Sequence, residues 1–335
     1  MSTGVPSTAN DVDIVVLGAL MADLTGSAPQ AALESVETFR RTLGDASSNV
    51  ATTAARLGRR VAVIARVGDD AFGRYARTEL RRRQILDNWL QIDPQETTTL
   101  AFFAESSTAR NFFVIRGADR YLILDDEARE LIRRARALHI TTFSLSMEPS
   151  RSATVEALEL AHAAGHLVSL DPNYRADVWH NPGSFMPLLC RLLPLTTVIK
   201  PSLKDAAEIW GAGQSPGDYV ARFHEHGARQ VLLTLGRDGV IASDGQTIQR
   251  LPAVPIEATD TVGAGDAFTA GALAALLDGH DLFTAARVGM VVASYKLRAP
   301  EYSGPLPRMT VLVEQAFAGE EDAPPVQRNL TPRKR

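Results

Sequence analysis

An aspartate that follows a run of small residues is the most informative chemical feature of the sequence. The segment Asp260–Asp266 reads DTVGAGD and leads into an alanine-rich stretch, which favours a helix. Small residues let the backbone approach a ligand closely, and the amides at a helix N-terminus bind phosphate. A carboxylate at Asp266 repels phosphate but could accept a proton from an attacking hydroxyl. These residue types therefore indicate phosphoryl transfer, although Asp266 could instead only favour the helix dipole.

Short apolar runs alternate with longer helical stretches along most of the chain, and these elements would position the segment. Alternation of this kind predicts an α/β fold, with a doubly wound, mostly parallel sheet and helices on both of its faces. The predicted strands are 13–20, 61–68, 138–143, 166–171, 197–200 and 230–236.

Two β-rich stretches, about 20–42 and 97–124, interrupt this alternation. They predict a small separate sheet that could act as a lid or as a dimer surface. We therefore expect one α/β domain over 12–318 with a discontinuous β-lid. The ends, 1–11 and 319–335, are expected to be flexible.

The composition restricts the classes of protein that this sequence can encode. With 35 Lys+Arg, 39 Asp+Glu and 45% apolar residues, the chain resembles neither a disordered protein nor an electrostatic nucleic-acid binder. The single cysteine, Cys190, cannot form an intramolecular disulfide, which favours a reducing compartment. No apolar run is long enough to cross a bilayer, and the N-terminus lacks the features of a signal peptide. We expect a cytoplasmic protein with no nucleic-acid or membrane partner.

Several ordered motifs together resemble the ribokinase-like carbohydrate kinases of the phosphofructokinase-B type. The segment DTVGAGD followed by AFTAG is similar to the C-terminal signature of that family. The segment DPNYR with Trp179 looks most like fructokinase and 2-keto-3-deoxygluconate kinase relatives. A combination of ordered motifs is far more specific than a single glycine motif. The remaining matches are LGDASSNVATTAARLG at 43–58, VAVIARVGDDAFGRY at 61–75 and LLTLGRDGV at 232–240.

The resemblance implies an ATP-dependent kinase that transfers the γ-phosphoryl group to a sugar or sugar-acid hydroxyl. By position, Asp266 corresponds to the general base, and the amides of Gly263, Ala264 and Gly265 correspond to the anion hole. The implied sugar contacts are Asp23, Gly44, Asp45, Asn49, Asp171, Asn173 and Arg175. The implied nucleotide contacts are Thr234, Gly236, Gly239 and Ser202.

The resemblance also implies bound cations and a second copy of the chain. Magnesium would accompany ATP, and Asp205 would hold it through water. Asp260 and Val262 match the ligands of a monovalent cation site, where potassium binds in some relatives, and the loop 299–304 could complete it. The implied partners are a small sugar, ATP and a homodimer mate that is joined through the lid.

The sequence departs from the family pattern at two places in the candidate site. The usual Gly-Gly pair appears as Gly44-Asp45 or as Leu43-Gly44, and an Asp45 carboxylate would alter recognition of sugar hydroxyls. The usual Asn-x-x-Glu appears as Ser202 to Asp205, and Ser202 equally suits the N-cap of the helix that follows it.

Two other functions remain open at this point. A nucleoside kinase of the same fold would need an aromatic pocket for the base, although alternating strand faces would place half of the candidate aromatic residues in the core. A catalytically weak sugar-binding or regulatory protein would explain the departures at Asp45, Ser202 and Asp205. The candidate aromatic residues are Phe102, Phe103, Phe112 and Phe113.

Overall fold

The structure of the protein is a computed structural model, and it describes most of the domain that the sequence predicts. The predicted ends, 1–11 and 319–335, lie outside the described residues, and so does Asp260. The described residues are 12–26, 33–104, 112–179, 181–256, 261–298 and 304–318.

The strands of the described residues form a nine-stranded sheet and a four-stranded sheet. The order of the large sheet is β13-β12-β11-β10-β9-β8-β1-β4-β5, and that of the small sheet is β3-β2-β6-β7. The strands are β1 Ile14–Leu17, β2 Met21–Gly26, β3 Phe39–Gly44, β4 Val61–Gly68, β5 Leu90–Asp93, β6 Thr99–Phe103, β7 Phe112–Ile115, β8 Ala137–Thr141, β9 Leu167–Asp171, β10 Val198–Ile199, β11 Gln230–Thr234, β12 Val240–Ser243 and β13 Ile248–Leu251.

The helices cover both faces of the large sheet, as the alternation of the sequence predicts. Alternate residues of β1 enter different cores: Val15 packs with α3 to α7, and Val16 packs with α1, α2 and α8 to α10. Both faces of the sheet are therefore buried, which explains its continuous apolar strands. The helices are α1 Ala46–Arg56, α2 Ala71–Arg82, α3 Asp126–Arg134, α4 Ser150–Ala163, α5 Phe185–Leu192, α6 Leu203–Trp210, α7 Pro216–Glu225, α8 Ala264–Leu277, α9 Leu282–Arg298 and α10 Met309–Phe317.

The pairing within the large sheet is mostly parallel, with one antiparallel edge. Strands β11, β12 and β13 pair antiparallel to one another, whereas the remaining neighbours pair in parallel. No strand was predicted at β12 or β13. Strand β12 is followed by another strand and not by a helix, and β13 carries Gln249 and Arg250 between its apolar residues, so neither fits the alternation of apolar runs and helices.

The two interrupting stretches form the small sheet that the sequence predicts. Strands β6 and β7 make an antiparallel pair, and β2 from the earlier stretch pairs in parallel with β6 and antiparallel with β3. Because side chains alternate between the faces of a strand, Asp23, Phe103 and Phe112 lie on one face of this sheet, and Phe102 and Phe113 lie on the other.

No helix among the described residues is both long and apolar enough to span a bilayer.

Candidate active site

The small residues that precede Asp266 form the N-terminus of α8. Gly263 is the N-cap residue and has a φ of 77°, a left-handed conformation that glycine adopts without strain. Ala264 and Gly265 begin the helix, and Asp266 lies in its first turn. The amide groups of such a turn have no partners within the helix and carry partial positive charge, so they can bind an anion.

Asp266 is held by an asparagine from α1, more than 200 residues earlier in the chain. Asn49 Nδ2 donates a hydrogen bond to Asp266 Oδ2 at 2.8 Å. The pKa of Asp266 is raised to about 7, mainly by burial and also by the charges of Asp171 and Asp45, although Lys200 and the Asn49 hydrogen bond oppose this rise. A carboxylate with a pKa near neutrality is well suited to accept a proton in a catalytic step.

The carboxyl ends of β9 and β10 bring a buried ion pair to the same site. Asp171 ends β9, and its Oδ2 lies 2.6 Å from the Nζ of Lys200, which follows β10. The other carboxylate oxygen of Asp171 accepts the backbone N–H of Asn173 at 3.0 Å. The sequence analysis predicted roles for Asp171 and Asn173 but none for Lys200. The sequence feature that could have drawn attention to Lys200 was its place at the end of a predicted apolar strand.

Asp23 lies on β2 and faces the site from the small sheet. The pKa of Asp23 is raised to about 8, mainly by burial and also by the charges of Asp45 and Asp266, although the Arg175 guanidinium opposes this rise. Its buried Oδ1 has no hydrogen-bond partner among the described residues. A Cβ at position 44 would collide with this carboxylate, so Gly44 is needed for the close approach of the two strands.

Asp45 follows Gly44 and caps α1. Its Oδ2 accepts the backbone N–H of Ser47 at 3.0 Å, and its φ is 79°, a value that favours glycine. Burial raises the pKa of the Asp45 carboxyl. With Asp23, Asp171 and Asp266, Asp45 therefore makes four carboxyl groups at the site.

The implied sugar contacts around Asp23 and Asp45 form the candidate acceptor pocket, and Arg175 is an exposed cation beside Asp23. Its guanidinium carbon lies 4.5 Å from the ring centroid of Phe112, on the face of the small sheet that also carries Asp23. Phe112 in turn packs against Phe103, with ring centroids 5.0 Å apart. Phe102 and Phe113 lie on the opposite face, so only half of the four aromatic residues can contribute to this pocket.

Ser202 and Asp205 form a reciprocal capping box at the start of α6. Ser202 Oγ accepts the N–H of Asp205 at 3.0 Å, and Asp205 Oδ2 accepts the N–H of Ser202 at 2.9 Å. The other Asp205 oxygen accepts the N–H of Tyr174 at 2.9 Å. The N-cap interpretation of Ser202 is therefore confirmed. Because both carboxylate oxygens of Asp205 are engaged, magnesium binding there stays a prediction without structural support.

The other predicted cation site is only partly described. Asp260 and residues 299–303 lie outside the described residues, and Val262 is highly exposed, at 71%. Within the described ranges, no cluster of three or more His, Cys, Asp or Glu residues is arranged to hold a metal ion.

Three of the predicted nucleotide contacts lie at the turn between β11 and β12, whereas the fourth, Ser202, caps α6. Thr234 ends β11, and its N–H donates to the carbonyl of Pro201 at 2.9 Å, which ties this turn to the start of α6. Gly236 and Gly239 have φ values of 62° and 93°, so both positions favour glycine. An open cavity of about 390 Å³ adjoins this turn and is lined by Arg237, Asp238, Arg250, Pro252 and Ala253.

The chain is similar to known proteins of one family. Residues 11–309 match the family described as pfkB family carbohydrate kinase. A fructokinase from Klebsiella pneumoniae is 40% identical over 240 residues, which are 70% of this chain and 76% of that protein. An ATP-dependent 6-phosphofructokinase from Thermoanaerobacterium thermosaccharolyticum is 30% identical over 287 residues, 85% of this chain and 88% of that protein.

A solved structure agrees with this assignment. The fructokinase of Halothermothrix orenii superimposes with a TM-score of 0.72 at 34% identity, covering 84% of this chain and 96% of that one. The family that the motifs predicted is therefore confirmed, as is the fold, a large mostly parallel sheet with helices around it and a small separate sheet. The chain belongs to the pfkB family of carbohydrate kinases, phosphotransferases whose acceptor is an alcohol group.

Proposed function

We propose that this kinase transfers the γ-phosphoryl group of ATP to a hydroxyl of a neutral sugar, with Asp266 as the general base. The observation that carries the proposal is the Asp266 carboxylate at the N-terminus of α8, held by Asn49 at 2.8 Å. Its pKa of about 7 leaves a substantial ionised fraction at neutral pH, and that fraction can accept the hydroxyl proton.

The reaction would proceed as follows. Asp266 accepts the proton of the sugar hydroxyl while that oxygen forms a bond to the γ-phosphorus of ATP. The bond between the γ-phosphorus and the bridging oxygen breaks, and ADP leaves with the electron pair. The amides of Gly263–Gly265 stabilise the negative charge on the equatorial oxygens of the transferring group. Magnesium that enters with ATP would neutralise charge on the phosphates.

Nucleotide binding is proposed for the turn between β11 and β12. Gly236 leaves the backbone open on this surface, whereas Gly239 lets the backbone of Leu251–Ala253 pack closely against the turn. The adjoining cavity of about 390 Å³ is large enough for part of a nucleotide. Ser202 contributes to the shape of this region as the cap of α6, to which Thr234 is tied through Pro201.

The proposed acceptor is fructose. Two of the relatives described above are fructokinases, and the candidate pocket carries polar groups that suit hydroxyls. Asp23 and Asp45 are its acidic members, and Arg175 is the cation that opposes the charge of Asp23. Because burial raises the pKa of both carboxyl groups, negative charge is unfavourable at this place, and a neutral sugar is favoured over a sugar phosphate or a sugar acid.

A panel of acceptors tests this proposal directly. ATP consumption is measured with fructose, fructose 6-phosphate, 2-keto-3-deoxygluconate, ribose and adenosine as acceptors. We expect the highest kcat/KM with fructose. Preference for adenosine would favour the nucleoside kinase alternative, for which Phe103 and Phe112 would supply the aromatic surface. Binding of a sugar with no consumption of ATP would favour the regulatory alternative.

We also propose that the small sheet is a lid and that two lids join a homodimer. The face of this sheet opposite Asp23 carries Phe39, Phe102 and Phe113, whose rings contact one another, and Phe113 is 55% exposed. An exposed apolar face of this kind is typical of a protein interface. Light scattering should report a dimer for the wild type and a monomer for Phe113→Asp. A monomeric wild type would remove the dimer proposal and leave the kinase proposal intact.

A further inference from the structure

Lys200 is a buried cation beside the reaction site, and the proposed mechanism has so far given it no role. The residue is only 7% exposed, and its ammonium forms an ion pair of 2.6 Å with Asp171. The pair exists because Leu170 and Ile199 are neighbours in the β9–β10 register, which places the next residues of both strands side by side. Removing two charges from water is costly, so a buried pair of this kind is weak evidence for a role in stability alone.

The Lys200 ammonium also lies against Gly265, at the N-terminus of α8. A Cβ built on Gly265 would lie 3.3 Å from Lys200 Nζ, so the cation packs directly against the first turn of α8. Any larger side chain at position 265 would force the ammonium away. The amide of Gly265 can bind an anion, and the absence of a Cβ at this position leaves room for the Lys200 ammonium.

The groups that face Lys200 keep it charged. Burial alone would lower the pKa of Lys200, but the carboxylates of Asp171, Asp266 and Asp205 outweigh this effect and raise it. The buried His139 imidazole is also near, and burial together with the Lys200 charge lowers the pKa of His139 to about 3, so it stays neutral. Lys200 therefore provides a fixed positive charge at neutral pH.

The groups that face Asp266 are mostly acidic. Asp171, Asp45 and Asp23 interact unfavourably with its charged form, and Asn49 and Lys200 favour it. Among the charged groups identified around Asp266, Lys200 makes the principal favourable contribution to ionisation. Without it, burial and the three carboxylates would keep the proton on Asp266 at neutral pH.

We propose that Lys200, held against Gly265 by its ion pair with Asp171, is a positioning residue that keeps Asp266 in the ionised, proton-accepting form. The inference rests on the proposed function, since it needs Asp266 to act as the base. Lys200 itself exchanges no proton with the substrate. Its charge acts through Asp266, and the proton that Asp266 gains from the sugar passes to water after the product leaves.

The test is the pH dependence of kcat/KM with fructose and magnesium-ATP for the wild type, Lys200→Met, Lys200→Gln and Lys200→Arg. An opposite charge at close range lowers the pKa of a carboxyl by about 1 to 3 units, so we expect the acid limb of Lys200→Met to move up by that amount. Its kcat/KM should approach that of the wild type at high pH. Lys200→Gln also removes the charge but keeps a hydrogen-bond donor for Asp171, so its acid limb should move up in the same way. Lys200→Arg keeps the charge and should keep the acid limb near that of the wild type.

Two outcomes would overturn the inference. One is an acid limb in Lys200→Met that coincides with that of the wild type. The other is a loss of kcat/KM in Lys200→Met that is the same at every pH, which is what a structural role would produce. If Lys200→Met does not fold, the Lys200→Gln profile decides, because an acid limb that coincides with that of the wild type contradicts the proposal. A wild type that phosphorylates no sugar would instead refute the proposed function, whereas an active wild type with these profiles refutes only the role of Lys200.

Discussion

Replacing Asp23 with asparagine should stabilise the protein, and more so as the pH rises. The pKa of Asp23 is raised from 3.8 to about 8 in the folded chain, first by burial and then by Asp45 and Asp266. A carboxyl whose pKa is higher in the folded state contributes full stability below its unfolded pKa. This contribution is lost progressively as the pH rises through the folded pKa. The wild type should therefore lose stability between about pH 4 and pH 8.

The size of the effect follows from the two pKa values. At about 1.4 kcal/mol for each pH unit, a difference of about four units has an upper bound of roughly 6 kcal/mol. Because the Asp23 side chain is only partly buried and its surroundings can relax, we expect about half of this, or ~3 kcal/mol. Asparagine keeps the shape of the side chain and removes the charge, so Asp23→Asn should avoid most of this loss.

Urea unfolding of the wild type and of Asp23→Asn at pH 5 and pH 8 measures the difference. The matched control is Asp93→Asn, because Asp93 accepts hydrogen bonds from the Gln95 and Glu96 amides and from Arg66, and its pKa is lowered. This control should lower the free energy of unfolding at both pH values. A difference between the wild type and Asp23→Asn that is the same at pH 5 and pH 8 would refute the reasoning.

Three further predictions concern the same site. Gly44→Ala places a Cβ against the Asp23 carboxylate, so kcat/KM for the sugar should fall while the KM for ATP changes little, as steady-state kinetics will show. Ser202→Ala removes one half of the capping box and should lower the free energy of unfolding by about 1 kcal/mol in urea titrations. Turnover should persist in that variant, and its loss would contradict a purely structural Ser202. The wild-type kcat/KM should rise with pH through an apparent pKa of about 7, since Asp266 must be ionised; a flat profile from pH 5 to pH 8 would contradict this.

Much of the fold could be predicted because it depends on local patterns. Apolar runs that alternate with helical stretches indicate a parallel sheet whatever the details of packing. Strands β12 and β13 escaped prediction because they depart from this alternation: β12 is followed by another strand, and β13 contains Gln249 and Arg250. Helix α1 begins at Ala46, where the Asp45 side chain caps it, and apolar patterns do not encode such a hydrogen bond.

The candidate site was accessible to sequence reasoning only in part. Asp266 and Asn49 lie in motifs that resemble a known family, so both could be proposed although they are far apart in the chain. Lys200 could not, because its position depends on the β9–β10 register and on the packing of α8, neither of which a linear pattern encodes. The same limitation applies to the Asp205 carboxylate, whose hydrogen bonds to Ser202 and Tyr174 become visible only in three dimensions.

The most direct test of the account is the turnover of Asp266→Asn. The matched control is Asp278→Asn, which changes an aspartate at the other end of the same helix, where it pairs with Arg59. Single-turnover phosphorylation of fructose measures the chemical step, and calorimetry measures sugar binding. We expect Asp266→Asn to lose at least about 100-fold in rate while its sugar affinity is largely retained. Asp278→Asn should turn over like the wild type. A rate in Asp266→Asn close to that of the wild type would contradict the account.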